Sequence, residues 1–339
     1  MKKYIFLPLL FVSALCWGQA QFVVQNGNKT EVYTNINTAI ENAVDGDTLY
    51  IPGGGFSLSS GNIYKSLHWV GVGHYPSETG ATHASRITTA INLYDGCSGS
   101  SFEGIYFTGN FQIGIDADVT NITIKRCRIG GSITFRYNNN PTTPNLKTTV
   151  IECVINGSLT AKGAEGCSIQ NSILFGTISY FKQSEFKHNA INANGSSSQV
   201  ILNCESCLFI NNAFGYENAT NVYCTDCTLT NNVLAEAFPT NGSVTDGGGN
   251  FVSVGYGLSD VYTDLSGSNS VTTFSYDNDY SLKDPTWISS DGTTPIGIYG
   301  TATPYKTIPY YPHINAATVT DEVTNNQLGV DIEVQAQER

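Results

Sequence analysis

The phrase richest in reactive side chains is Cys204-x-x-Cys207, followed by Cys224-x-x-Cys227. Two thiol pairs at that interval suit a tetrahedral zinc site, one or more disulfides, or a ladder of buried thiols in successive windings of a repeat. The ladder fits best, because the same interval recurs elsewhere in the chain. Cys127, Cys153 and Cys167 also stand at related spots without a second thiol nearby. The next cluster is cationic: Lys125, Arg128 and Arg136. Alternation from an inward Ile122 and Ile124 sends Lys125 outward, and Arg128 stands outward beside Ile129. Such a patch suits sugar carboxylates. Arg128 or Lys125 would then take the proton in a β-elimination, with calcium at Asp116 and Asp118, and Arg136 would help bind the ligand. A plain solvated strand face competes with that reading. A third group gathers Tyr305, Tyr310 and Tyr311 with His313 among Pro304, Pro309 and Pro312. Their rings suit sugars or a protein partner, and equally suit packing of the tail on the rest of the fold.

These residues need a frame, and the sequence describes one. Cys207-Leu208-Phe209-Ile210-Asn211-Asn212 recurs as Cys227-Thr228-Leu229-Thr230-Asn231-Asn232, and earlier as Ser184-Glu185-Phe186-Lys187-His188-Asn189. Cys127-Arg128-Ile129-Gly130-Gly131 and Cys153-Val154-Ile155-Asn156-Gly157 read as further copies. Intervals of about 20–26 residues are too short for a strand–helix–strand unit and long enough for a coil of three short strands. Stacked coils pair each other's open backbone groups at a spacing of about 4.8 Å and bring like side chains into columns. The Asn pairs would then form an amide ladder at a corner. About 22 residues per coil gives ten or eleven coils between Thr48 and Ile288. Ser172-Ile173-Leu174 breaks the count, which places that phrase on a different face. The expected fold is all-β: one right-handed parallel β-helix spanning 21–300. It has a capping helix over Thr34–Val44 and a tail, 301–339, whose strand Leu328–Val334 packs on the last coil or on a partner.

Composition agrees. Only 13% of residues are charged, so solubility rests on Asn, Ser, Thr and Gly, which turns also consume. Lys2 and Lys3, the apolar run Ile5–Trp17 and Gly18-Gln19-Ala20 form a signal peptide removed near Ala20. Its loss takes the formal charge from −12 to −14, since it holds two lysines and no acid. That excess excludes nucleic acid as a partner, which needs a basic face. No mature segment is long and apolar enough for a transmembrane helix. The expected location is the periplasm, the cell surface or the medium.

The helix with Asp45-Gly46-Asp47-Thr48-Leu49-Tyr50-Ile51-Pro52-Gly53-Gly54, followed by Val70-Gly71-Val72-Gly73-His74-Tyr75, resembles the entry cap of the pectin-lyase-like superfamily of β-helix proteins. The phrases Asp279–Leu282 and Ile296–Gly300 resemble the closing coil of exported bacterial members. The resemblance implies the fold strongly and the chemistry weakly, since this architecture serves lyases, hydrolases, adhesins and inert stalks. The Asn-Thr-Asp, Asp-Asp, Gly-His-Gly and Arg-Ile-Lys motifs of its polygalacturonase branch are missing. The expectation is therefore a non-catalytic scaffold or binding module for a surface glycan or protein, with no cofactor. The alternative is a pectate-lyase-like polysaccharide lyase assisted by Ca2+.

Overall fold

The computed structural model describes residues 20–75, 83–137, 142, 145–192, 200–215, 222–235, 237–239, 242–254, 258–265, 274–302, 304–305, 313–324 and 327–335. The signal segment, Tyr310 and Tyr311 lie outside them. The chain is a parallel β-solenoid of about 8 turns with a short N-terminal helix. Each winding contributes a strand to each of three faces. The first face runs from Thr48–Ile51 through the end of Val222–Thr230 to Gly242–Asp246. The second runs from Gly54–Phe56 to Val233–Leu234, and the third from Asn62–Ile63 to the start of Val222–Thr230.

Alternation along each strand sends one set of side chains inward. On the first face Leu49, Trp69, Phe102, Ile124, Val150, Ile169, Phe186, Phe209 and Leu229 lie in register, one per winding. All are fully buried. Phe186 and Phe209 stack with ring centroids 4.7 Å apart and planes 9° from parallel. The helix, Ile36–Asn42, is capped by the Asn35 side chain and buries Ile36 and Ala39 over the open end of the stack.

Side-chain ladders hold the first-to-second corner. Asn189, Asn212, Asn232 and Asn250 donate from each Nδ2 to the next Oδ1 at 2.9, 3.1 and 3.1 Å. Each Oδ1 also accepts the backbone N–H of the preceding rung. Ser172 belongs to this column, because its N–H donates to Asn189 Oδ1, and Cys153 N–H donates to Ser172 Oγ. The Ser172 phrase is thus a copy of the Cys127 and Cys153 phrases on the second face. The Ser184, Cys207 and Cys227 phrases start the first face, where Cys167 N–H donates to Ser184 Oγ. The residue before Ser172, Asn189, Asn212 and Asn232 (Asn171, His188, Asn211, Asn231) has φ between 47° and 56°, a left-handed turn that Asn tolerates best among residues with a Cβ. Replacing Asn212 with Leu strands the Asn189 donors and the Phe186 carbonyl, a loss of roughly 3–6 kcal/mol that urea denaturation would register.

Three expectations need correction. The solenoid has about 8 turns rather than ten or eleven: ladder partners in successive windings lie between 17 and 33 residues apart. Its last strand on the first face, Gly242–Asp246, also ends well before Ile288. Second, Asp279–Leu282 and Ile296–Gly300 are not a closing coil. Asp279–Leu282 pairs antiparallel with Tyr262–Asp264, and the described residues between 258 and 305 fold back across the second face. Their Leu258, Val261, Tyr262, Phe274, Tyr280, Ile296 and Ile298 cover its outward row of Val154, Ile173, Ala190, Ala213 and Val233. Small aliphatic side chains on an outward row leave apolar area that an arm must cover. Third, the tail strand does not stand alone: Gln327–Gln335 pairs with His313–Thr324 as an antiparallel hairpin, and among the described residues neither strand pairs with a strand of the solenoid.

Candidate functional site

The cationic cluster does not converge. Lys125 is on the first face, with Nζ 3.9 Å from Glu103 Oε1. Arg136 follows the third-face strand Ile133–Thr134 and is buried, donating to Asp118 Oδ1 at 3.1 Å and the Gly163 carbonyl at 3.1 Å. Arg128 stands on the second face, where its guanidinium carbon lies 4.8, 5.1 and 5.3 Å from the ring centres of Tyr106, Phe274 and Tyr276. The base proposed for elimination is therefore a cation clasped under the folded-back arm. The acidic pair is separated too. Asp118 Oδ2 accepts from Thr142 N–H at 2.6 Å, and exposed Asp116 accepts Asp95 N–H at 2.9 Å. Their segment bends instead of forming a strand, so the two carboxylates share no face. Tyr305 is not exposed but 95% buried, within the apolar cluster that joins the arm to the second face.

The sequence reading missed Arg126, whose positive φ turns it into the first corner. It donates to Glu152 Oε2 at 2.6 Å and Glu103 Oε1 at 3.1 Å. Burial holds the Glu103 carboxyl above its ordinary range against the pull of Lys125 and Arg126. This network fills a corner and leaves its carboxylates engaged. The eight described cysteines are buried free thiols, and burial pushes Cys153 and Cys167 up to about 12, so both are protonated and inert. Among the described residues no group of three or more His, Cys, Asp or Glu is placed to hold a metal ion.

The arm over the second face is fastened to a histidine at Tyr276 and again at Gly297. Tyr276 Oη donates to the His74 carbonyl at 2.6 Å and lies 2.9 Å from His74 Nδ1. His188 Nδ1 lies 3.3 Å from the Gly297 carbonyl, and its Nε2 lies 3.1 Å from Asn211 Nδ2. Burial, with Arg128 adding to it, lowers His74 to about 3. Burial lowers His188 as well.

The third face is different. Its outward column, Asn62, Asn92, Gln112, Thr134 and Thr160, is in register from winding to winding and carries no charge; Ser179 follows in the same register but is buried. Asn92 Nδ2 donates to Asn62 Oδ1 at 2.9 Å, and Leu202 and Tyr223 continue the column. Tyrosines line the face: Tyr64 is 57% exposed, Tyr137 40%, Tyr180 44% and Tyr223 48%. The signal lay in the repeated phrases Asn62-Ile63-Tyr64 and Asn92-Leu93-Tyr94, which the search for charged groups passed over. Hydroxyls and amides in a flat row, edged by aromatic rings, can hydrogen-bond and stack against a polar ligand without electrostatic attraction. No protein-family model, no curated protein and no solved structure matches the chain.

Proposed function

We propose that this chain is an exported, non-catalytic β-solenoid that binds a surface glycan or a protein partner along its third face. The observation supporting the reading is the uncharged hydroxyl and amide column bordered by four exposed tyrosines. The commitment of Arg128 to an aromatic clasp and of Asp118 to Arg136 argues in the same direction. The resemblance of the opening segment to pectin-lyase-like entry caps suits such a scaffold and adds no chemistry. The test has two arms. Incubation with polyuronates and calcium should give no rise at roughly 235 nm, where a conjugated enoate from elimination absorbs. A rise abolished by Arg128→Ala would establish the lyase reading instead. In the second arm, the mature protein is screened on a glycan array and in pull-downs. Tyr180→Ala with Tyr223→Ala should weaken whatever is captured by roughly tenfold or more, and an unchanged profile would move the binding surface off this face.

A further inference from the structure

We propose that Tyr64 and Tyr94 form a subsite for the ring of an uncharged sugar, so that the ligand of the third face is a neutral polysaccharide. The inference rests on the third-face reading above and gives its ligand a chemical class. The two rings occupy consecutive windings at the edge of the face, with centroids 4.5 Å apart and planes 31° from parallel. The backbone holds them in step, since Tyr94 N–H donates to the Ile63 carbonyl at 2.9 Å. Two residues back along each strand, and so on the same side, the Asn62–Asn92 amide rung supplies donors and acceptors beside the rings. Asp116 lies on the other flank. Its Oδ1 takes Asp95 N–H, and its charge joins burial and Tyr64 in raising the Tyr94 hydroxyl above its ordinary value.

A tilted pair of aromatic faces, an amide rung and a carboxylate match what a pyranose ring offers: an apolar C–H face and a rim of hydroxyls. The local charge decides which sugar. Asp95 and Asp116 are both exposed beside the rings. The cation nearest in sequence, Lys65, is turned away to the Ile40, Glu41 and Ala43 carbonyls at the end of the helix. A uronate or sulfate group would meet two carboxylates with Lys65 turned away, on a chain already strongly acidic.

The experiment is affinity electrophoresis of the mature chain in gels containing a neutral glucan, a neutral mannan or polygalacturonate. Tyr64→Ala, Asp116→Asn and Tyr223→Ala are run beside it, with circular dichroism and melting as fold controls. Retardation by at least one neutral polymer and not by polygalacturonate is expected. Tyr64→Ala should weaken it roughly tenfold, and Asp116→Asn should weaken it without making polygalacturonate a ligand. Retardation by polygalacturonate alone would overturn the ligand class. Loss with Tyr223→Ala and none with Tyr64→Ala would overturn the subsite while leaving the third face as the binding surface. Retardation indifferent to both tyrosines would overturn subsite and face together.

Discussion

Phe209→Asp should unfold the middle windings, whereas Leu208→Asp, one residue away, should leave the protein folded. Phe209 is fully buried between Phe186 and Leu229. Losing a buried phenyl ring costs about 3–5 kcal/mol, and a carboxylate left without a partner in that column adds several more. The sum rivals the whole stability of an ordinary domain, about 5–15 kcal/mol. Leu208 faces water with 42% of its surface exposed, so a carboxylate there changes stability by about 0.5 kcal/mol or less. Urea denaturation of the two variants measures the contrast. Equal losses would mean that the strand's two sides are not distinguished by burial.

The second large effect is acid sensitivity of the arm. His74 has a folded pKa of about 3 against an ordinary 6.5, so the folded chain resists the proton that the unfolded chain accepts. The stability tied to the neutral ring is complete above pH 6.5 and is lost as pH falls toward 3. Each pH unit inside that window removes about 1.4 kcal/mol. Between 6.5 and 4.5, before most carboxylates titrate, His74 alone withdraws roughly 2–3 kcal/mol, and His188, shifted in the same direction, adds to it. Glu103 acts with the opposite sign: its raised pKa means that protonation favours the folded state as pH falls toward its ordinary 4.5. Because both histidines bind the arm, proteolysis within residues 258–305 should accelerate in this window while the solenoid still resists. A cleavage rate flat from pH 7.5 to 4.5 would show that neither imidazole fastens the arm.

The stacking was legible in the sequence because a coil must repeat its corner chemistry at every turn. The Cys or Ser that opens a first-face strand and the Asn that closes it recur for that reason. Winding number was less legible, since loops lengthen some windings without disturbing the ladder; the pair Leu67 and Ser100 is separated by 33 residues. The fold-back of residues 258–305 left almost no mark, because an arm that covers a face has no period of its own. The charged residues do not gather into one cluster for a related reason. In a chain with few ionisable groups, Lys125, Arg128, Arg136 and Asp118 each meet an internal demand for a partner, a clasp or a filled corner. Tyr64, Asn92 and Gln112 are uncharged, and Asn92 and Tyr64 meet only their counterparts in the neighbouring winding. Alternation and register identify them as one surface, and that register is visible only when the windings are aligned.

The unequal windings have a consequence for how such a molecule changes over generations. Within the solenoid each turn pairs only with the turns above and below, so a turn duplicated or deleted away from the windings that the arm covers leaves the remaining strand pairing intact and alters the length of the stack by one step of about 4.8 Å. The outward columns grow or shrink by the same step. Lineages can therefore lengthen or shorten the outward columns by copying a segment rather than by redesigning an interior.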